Sequence, residues 1–297
     1  MKEYSNILDQ IGNTPLVELQ HLQKNKNVKV LVKLEGNNPG GSVKDRAAYN
    51  MIAEALKRGD IKQGDILVEA TSGNTGIALA FIAQLMGLNM KLVMPENATQ
   101  ERISTMRFYG AELILTPQAE GIEGSRDLAL KLRDEKGYHI LNQFGNDDNW
   151  KAHYKTTGPE IWKDTDGEIT HFVSAMGTTG TVMGVSTYLK EQNPTIQIIG
   201  TEPTEGSSIP GIRKWEPSYT PLFFDPERLD EVIPVSELVA KNTVKLLAQK
   251  EGLFVGISSG GAVATALQVA SKLEQGVVVA IICDRGDRYL SSDFMKI

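Results

Sequence analysis

The stretch ILVEATSGNTGIALAFIAQLMGLNMKLVMP, residues 66–95, decides the fold. Ile66–Ala70 reads as a short buried strand, TSGNTG (71–76) as a turn of small residues, Ile77–Met86 as a helix, and Met90–Met94 as a second strand. Working outward, Thr99–Tyr109 reads as a helix and Ala111–Leu115 as a third strand. Further strands are expected at His171–Ala175, Ile196–Thr201, Leu253–Ile257 and Val277–Ile282. Helices are expected at Thr181–Gln192, Glu237–Lys250 and Ala262–Leu273. Short strands joined by crossover helices pair in parallel, so the expected class is α/β with doubly wound sheets. The polar segment GNDDNW (145–150) is the best candidate for a crossing between domains, and the Pro- and Gly-rich segment 202–228 reads as a loop over a site.

A length of 297 residues sets a prior of two domains, at about 150 residues each. Hydrophobic residues at 41% and charged residues at 23% are ordinary globular usage and exclude a disordered or fibrous chain. The 31 basic and 37 acidic residues give a net charge of −6 without a long basic block, so nucleic-acid and membrane surfaces are not expected partners. Small-molecule chemistry is the better expectation. The single cysteine, Cys283, rules out an intrachain disulfide framework, and four scattered histidines do not form zinc spacings, so no metal is expected. With no long apolar run in MKEYSNILDQ (1–10), a cytoplasmic location is expected.

Three segments read alike, as apolar strand, small residues, then helix: TSGNTG (71–76), GTTGT (177–181) and SSGG (258–261). Each would aim free backbone N–H groups and a helix dipole at an anion above the sheet. None has the lysine of a P-loop, and none contains G-x-G-x-x-G, so nucleotides are not the first guess. GGSVKDR (40–46) leads into an apolar helical face of Ala47, Ala48, Met51, Ile52, Ala55 and Leu56, with Ser42 and Asp45 spaced as a capping box. Lys44 then falls in the first helical turn, where the positive dipole end favours loss of its proton. An imine-forming lysine needs that property.

Six ordered motifs carry a resemblance: IGNTP (11–15), KLEGNNPGGSVKDR (33–46), EATSGNTG (69–76), MGTTGT (176–181), GISSGG (256–261) and CDRGDRYL (283–290). The chain resembles the fold-type II pyridoxal-phosphate family, and within it the cysteine synthases (O-acetylserine sulfhydrylases) of the B type. The resemblance implies a cofactor, pyridoxal 5′-phosphate, in a cleft between a large domain (1–39 and 151–297) and a smaller mobile one (40–150), in a homodimer. It implies that Lys44 is the Schiff-base lysine and catalytic base, that Asn74 contacts the ring hydroxyl, and that Gly177, Thr178, Thr179, Gly180 and Thr181 cradle the phosphate. Ser258 would face the pyridine nitrogen, with Thr71, Ser72, Thr75 and Gln143 on the substrate carboxylate. The implied reaction is β-replacement on O-acetyl-L-serine by sulfide through an aminoacrylate. The B-type likeness adds thiosulfate, giving S-sulfocysteine. A phosphate monoester needs only N–H groups, hydroxyls and a helix dipole, so the absence of Lys or Arg from GTTGT is no obstacle. A neutral hydroxyl at the ring nitrogen makes a weaker electron sink than an acid would, which suits β-elimination. Thiosulfate is a bulky dianion, and Arg213 in SSIPGIRKW (207–215) offers it a planar guanidinium.

The rival from another class is a serine hydrolase, since GISSG (256–260) satisfies G-x-S-x-G with Ser258 as nucleophile. That order needs a histidine after the serine, whereas His21, His139, His153 and His171 all precede it. A ligand-binding module without catalysis is a further rival. Within the resemblance, serine/threonine dehydratase and O-phosphoserine sulfhydrylase are the alternatives. Cys283, Met176 and Met183 read as core filler, and Asp284 and Arg285 as support around the site.

Overall fold

A computed structural model of the protein describes residues 5–71 and 73–292. Two sheets organise it. The smaller sheet has order β3-β4-β5 and is wholly parallel, from β3 (Ile66–Ala70), β4 (Asn89–Pro95) and β5 (Glu112–Thr116). Helices α1 (Lys44–Arg58), α2 (Asn74–Leu85) and α3 (Gln100–Phe108) supply the core on one face. On the other face α4 (Gly121–Lys136) adds Ala129 to a core with Val68, Ala70 and Val93.

The larger sheet has order β1-β2-β9-β6-β7-β8. Its strands are β1 (Leu16–Glu18), β2 (Val28–Leu34), β6 (His171–Ala175), β7 (Gln197–Pro203), β8 (Glu231–Val235) and β9 (Gly276–Ile282), with only the β1–β2 pair antiparallel. In β9, Val278, Ala280 and Ile282 enter one core while Val277, Val279 and Ile281 enter the other. Burial on both faces is why this strand reads as a continuous apolar run. Helices α8 (Glu237–Leu246) and α9 (Ile257–Ala270) cover the first face, and α6 (Thr157–Asp164) and α7 (Gly180–Gln192) the second. Helix α5 (Asp147–Lys155) touches both α1 and α7, so the last four residues of the polar segment 145–150 start a helix. No described helix is long and apolar enough to cross a membrane.

The doubly wound α/β class is as expected, and most element boundaries agree within a residue or two. Leu253–Ile257 is a correction. It is not a strand, because β9 already has β2 and β6 on its two sides, leaving Val255 a single bridge to Arg285. Consequently SSGG (258–261) lies inside the first turns of α9, begun at Ile257, and does not share the strand-loop-helix layout of the other two segments. The expected helix over 237–250 stops at Leu246 and passes into a π-helical turn, Leu247–Glu251. Segment 202–228 is irregular apart from Glu202 and Pro203 at the end of β7 and two short 3-10 turns.

Candidate active site

Every element that reaches the site does so at the carboxyl ends of parallel strands, where open α/β sheets bind ligands. Thr71 follows β3, Gly177 follows β6, and Cys283–Asp284 follow β9. The start of α1 is tied to that last point, since Val43 N–H donates to the Cys283 carbonyl at 2.8 Å and Ser42 bridges Asp284. Lys44 is therefore held in the first turn of α1, as expected, with Ala47, Ala48, Met51, Ile52 and Ala55 buried behind it. The capping box does not form. Val43 is already helical at φ −56°, the Asp45 carboxylate turns back to the Gly40 N–H, and Ser42 Oγ accepts only a long 3.3 Å bond from Lys44 N–H.

A cavity of about 290 Å³ brings together Lys44, Thr71, Asn74, Thr75, Gln143, Gly177, Thr178, Arg213 and Ser258. Thr179, Gly180 and Thr181 lie buried directly behind this lining, and Ser72 lies outside the described residues. Helices α2, α7 and α9 begin at the cavity from Gly73, Thr179 and Gly256, none capped by the side chain of that residue, so apart from the Gly180 N–H, which makes a long 3.4 Å bond to Thr178 Oγ1, their starts offer N–H groups to an anion. Thr179 takes the left-handed conformation at φ 67°, and its buried hydroxyl has no protein partner. An orphaned hydroxyl beside an uncapped helix start is what a phosphate monoester satisfies, so this loop fits pyridoxal phosphate.

Supports lie one layer out. Asn149 Nδ2 donates to the Gln143 carbonyl at 2.7 Å and to Thr178 Oγ1 at 3.3 Å. His153 lies 2.8 Å from Thr157 Oγ1 and 3.3 Å from Thr181 Oγ1. Trp215 Nε1 donates to the Gly177 carbonyl at 2.9 Å. Thr75 Oγ1 donates to Gln143 Oε1 at 2.8 Å, while the Glu69 carboxylate accepts the N–H groups of Asn142 and Gln143 at 3.2 and 3.5 Å. Asn74 is gripped from the chain's far end: its Nδ2 donates to Asp284 at 2.7 Å and its Oδ1 accepts from Arg288. Tyr289 also donates to Asp284, at 2.6 Å.

Burial sets the electrostatics. It lowers the Lys44 amine pKa, against the opposing pull of Cys283 and Asp284. The direction matches the sequence expectation, with desolvation as the cause in place of the helix dipole. Burial raises the Cys283 thiol to about 12, so it stays protonated and behaves as the packing residue expected of it. Met176 and Met183 likewise sit in the core. Burial also raises Glu69 to about 7, against hydrogen bonds from Asn142, Gln143 and Leu141. His153 is held well below its usual value by burial and by Arg46 and Lys44, so its ring is neutral.

Asp284 is the support expected of it, but Arg285 is not; Arg285 is exposed and pairs with Asp287. No histidine lines the cavity among the described residues, and Ser258 sits in a helix turn without a strand before it, so the hydrolase arrangement is missing. Sequence reasoning missed Arg102, Arg126, Phe144 and Tyr289 in the lining. Of these only Tyr289 stood in a motif, CDRGDRYL.

The pyridoxal-phosphate dependent enzyme family model matches residues 7–284. The chain belongs to that family. It is 59% identical to cysteine synthase B of Pseudomonas aeruginosa over 98% of its own length and 97% of that protein's. Against cysteine synthase B of Escherichia coli (strain K12) it is 59% identical, covering 97% and 95%. Among solved structures, the Entamoeba histolytica cysteine synthase superposes with a TM-score of 0.94 at 40% identity, covering 100% of this chain and 92% of that one. O-ureido-L-serine synthase superposes at 0.93 with 38% identity, covering 99% and 95%. This pyridoxal-phosphate-dependent enzyme therefore has the fold-type II architecture, with B-type cysteine synthases among its relatives.

Proposed function

We propose that this enzyme makes L-cysteine by β-replacement on O-acetyl-L-serine with sulfide, and S-sulfocysteine when thiosulfate is the incoming nucleophile. The observation that carries the reading is one cavity in which a desolvated lysine, a neutral serine and two helix-starting glycine loops converge without a carboxylate among the described lining residues. Pyridoxal phosphate, when bound, supplies an electron sink for charge developing at the substrate Cα.

Lys44 would carry the cofactor, residues 177–181 its phosphate, Asn74 its ring hydroxyl and Ser258 its ring nitrogen. Once the substrate amine displaces it, Lys44 is the base for the Cα proton, and its lowered pKa favours the neutral amine that this requires. Thr71, Thr75 and Gln143, with the α2 N-terminus, receive the substrate carboxylate; Ser72 belongs to the same proposed set. Residues 40–150, which contain the smaller sheet, are proposed to close on the rest and exclude water before the sulfur nucleophile enters.

The test is direct. Purified protein with O-acetyl-L-serine should change its visible absorbance as about one acetate per active site leaves, and on addition of sulfide should turn over to acetate and cysteine in equal amounts. Thiosulfate should give S-sulfocysteine, and Arg213→Ala should lower that activity about tenfold, as expected for one charge-assisted hydrogen bond. Pyruvate and ammonia without sulfur incorporation would replace this reading with a dehydratase. Turnover with O-phospho-L-serine alone would change the acyl donor.

A further inference from the structure

Three arginines, Arg102, Arg126 and Arg213, line the inner cavity together with Lys44, and no carboxylate is among its described lining residues. Arg126 and Arg213 also line a wider outer groove of about 920 Å³, so they stand where the groove opens into the cavity. They come from opposite sides. Arg126 is on α4, against the smaller sheet, and Arg213 is on the loop after β7 of the larger one. The Arg126 guanidinium lies 5.5 Å from the Phe144 ring, the Arg213 guanidinium 5.3 Å from the Trp215 ring, and the two rings meet edge-on at 5.5 Å.

In this cation-ring-ring-cation arrangement each guanidinium is held against an aromatic ring, and among the described residues no protein acceptor takes its side-chain N–H groups, which leaves them for a ligand. The neighbouring Lys214 is paired with Glu202, whereas no carboxylate reaches ion-pair distance of Arg126 or Arg213 among the described residues. Glu123, one turn before Arg126, lines the outer groove and not the inner cavity. Two like charges held at one mouth repel each other until an anion enters between them.

We infer that Arg126 is a specificity residue, forming with Arg213 a two-guanidinium receptor that selects oxyanion-bearing sulfur donors such as thiosulfate over sulfide. The inference rests on the thiosulfate reading above and adds to it a second arm from across the cleft. Guanidinium forks match the oxygens of a sulfonate-like group, whereas sulfide has no oxygen to receive them.

The experiment compares the wild-type holoenzyme with Arg126→Ala, Arg126→Lys and Glu123→Gln, using sulfide, thiosulfate and inorganic sulfate as an inhibitor. Arg126→Ala should lower kcat/KM for thiosulfate about tenfold, chiefly through KM, and lower it for sulfide by no more than about threefold. It should also weaken inhibition by sulfate about tenfold, with Arg126→Lys in between. Glu123→Gln removes the opposing charge, so it should strengthen sulfate inhibition; a merely structural role for α4 does not predict that opposite sign. Equal losses with both donors, or unchanged sulfate inhibition in Arg126→Ala, would overturn the inference. If the wild type does not use thiosulfate at all, the donor assignment fails separately, and sulfate inhibition alone decides for or against the Arg126 receptor.

Discussion

The two glycine loops look alike in sequence and are supported in opposite ways. GTTGT (177–181) is braced by its own neighbourhood: Asn149 and His153 come from α5, which packs directly on α7, and Trp215 caps the Gly177 carbonyl. The titratable group among these braces, His153, stays neutral. TSGNTG (71–76) depends on ionisable partners, the nearby Glu69 through Gln143, and the distant Asp284 and Arg288 through Asn74. The difference separates two tasks. A loop proposed to keep a resident cofactor is packed and uncharged, whereas a loop proposed to take a transient amino acid is held by contacts that can be exchanged.

The largest expected effect comes from breaking the packed loop. A Cβ at Gly184 would enter the Trp150 carbonyl and stand 2.7 Å from His153 Cβ, so Gly184→Val must push α5 and α7 apart. We expect a loss of about 3 kcal/mol in a denaturant melt together with loss of the cofactor's visible band, the upper end of overpacking costs. Normal stability and full cofactor occupancy in that variant would remove the claim that α5 braces this loop.

Thr75→Val sharpens the contrast from the other side. It leaves Gln143 Oε1 without its donor at a cost of about 1 to 2 kcal/mol. The KM for the amino acid should therefore rise about tenfold while the cofactor stays bound. Loss of cofactor with unchanged amino-acid affinity would show that the two loops have been assigned the wrong way round.

The smallest effect is in pH. Glu69 has its carboxyl raised to about 7 by burial, so it protonates as pH falls through that value and its hold on the backbone N–H groups it accepts weakens. Amino-acid binding should weaken on the acid side of pH 7 in the wild type and lose that component in Glu69→Gln, with cofactor retention flat across the same range in both. Identical KM profiles for the two proteins would dismiss Glu69 as the titrating support.

Much of this was legible in the sequence, for physical reasons that also mark its limit. Strands β3, β4, β6, β7 and β9 are short runs buried on their sheets, and Lys44 announces itself by its place before an apolar helical face. The same logic misread Leu253–Ile257, because an apolar run does not reveal whether a sheet edge is free to pair with it. Strand β2 went unseen because its lysines break the apolar run. Lys33 is fully buried, held by the Thr14 carbonyl, Asp164 and Glu160 at 2.7, 2.8 and 3.0 Å. The clamp on Asn74 spans 210 residues to Asp284 and 214 to Arg288, and the Arg126 stack joins α4 to a loop after β7. Local patterning carries no trace of such pairings.

The central claim is that Lys44 holds the cofactor and moves the Cα proton in the cavity between these loops. Lys44→Ala, reconstituted with pyridoxal phosphate and mixed with O-acetyl-L-serine and sulfide, tests it most directly. The account predicts a protein of near wild-type stability without the lysine-bound visible band and with essentially no cysteine formed. An unchanged band and undiminished turnover would contradict it.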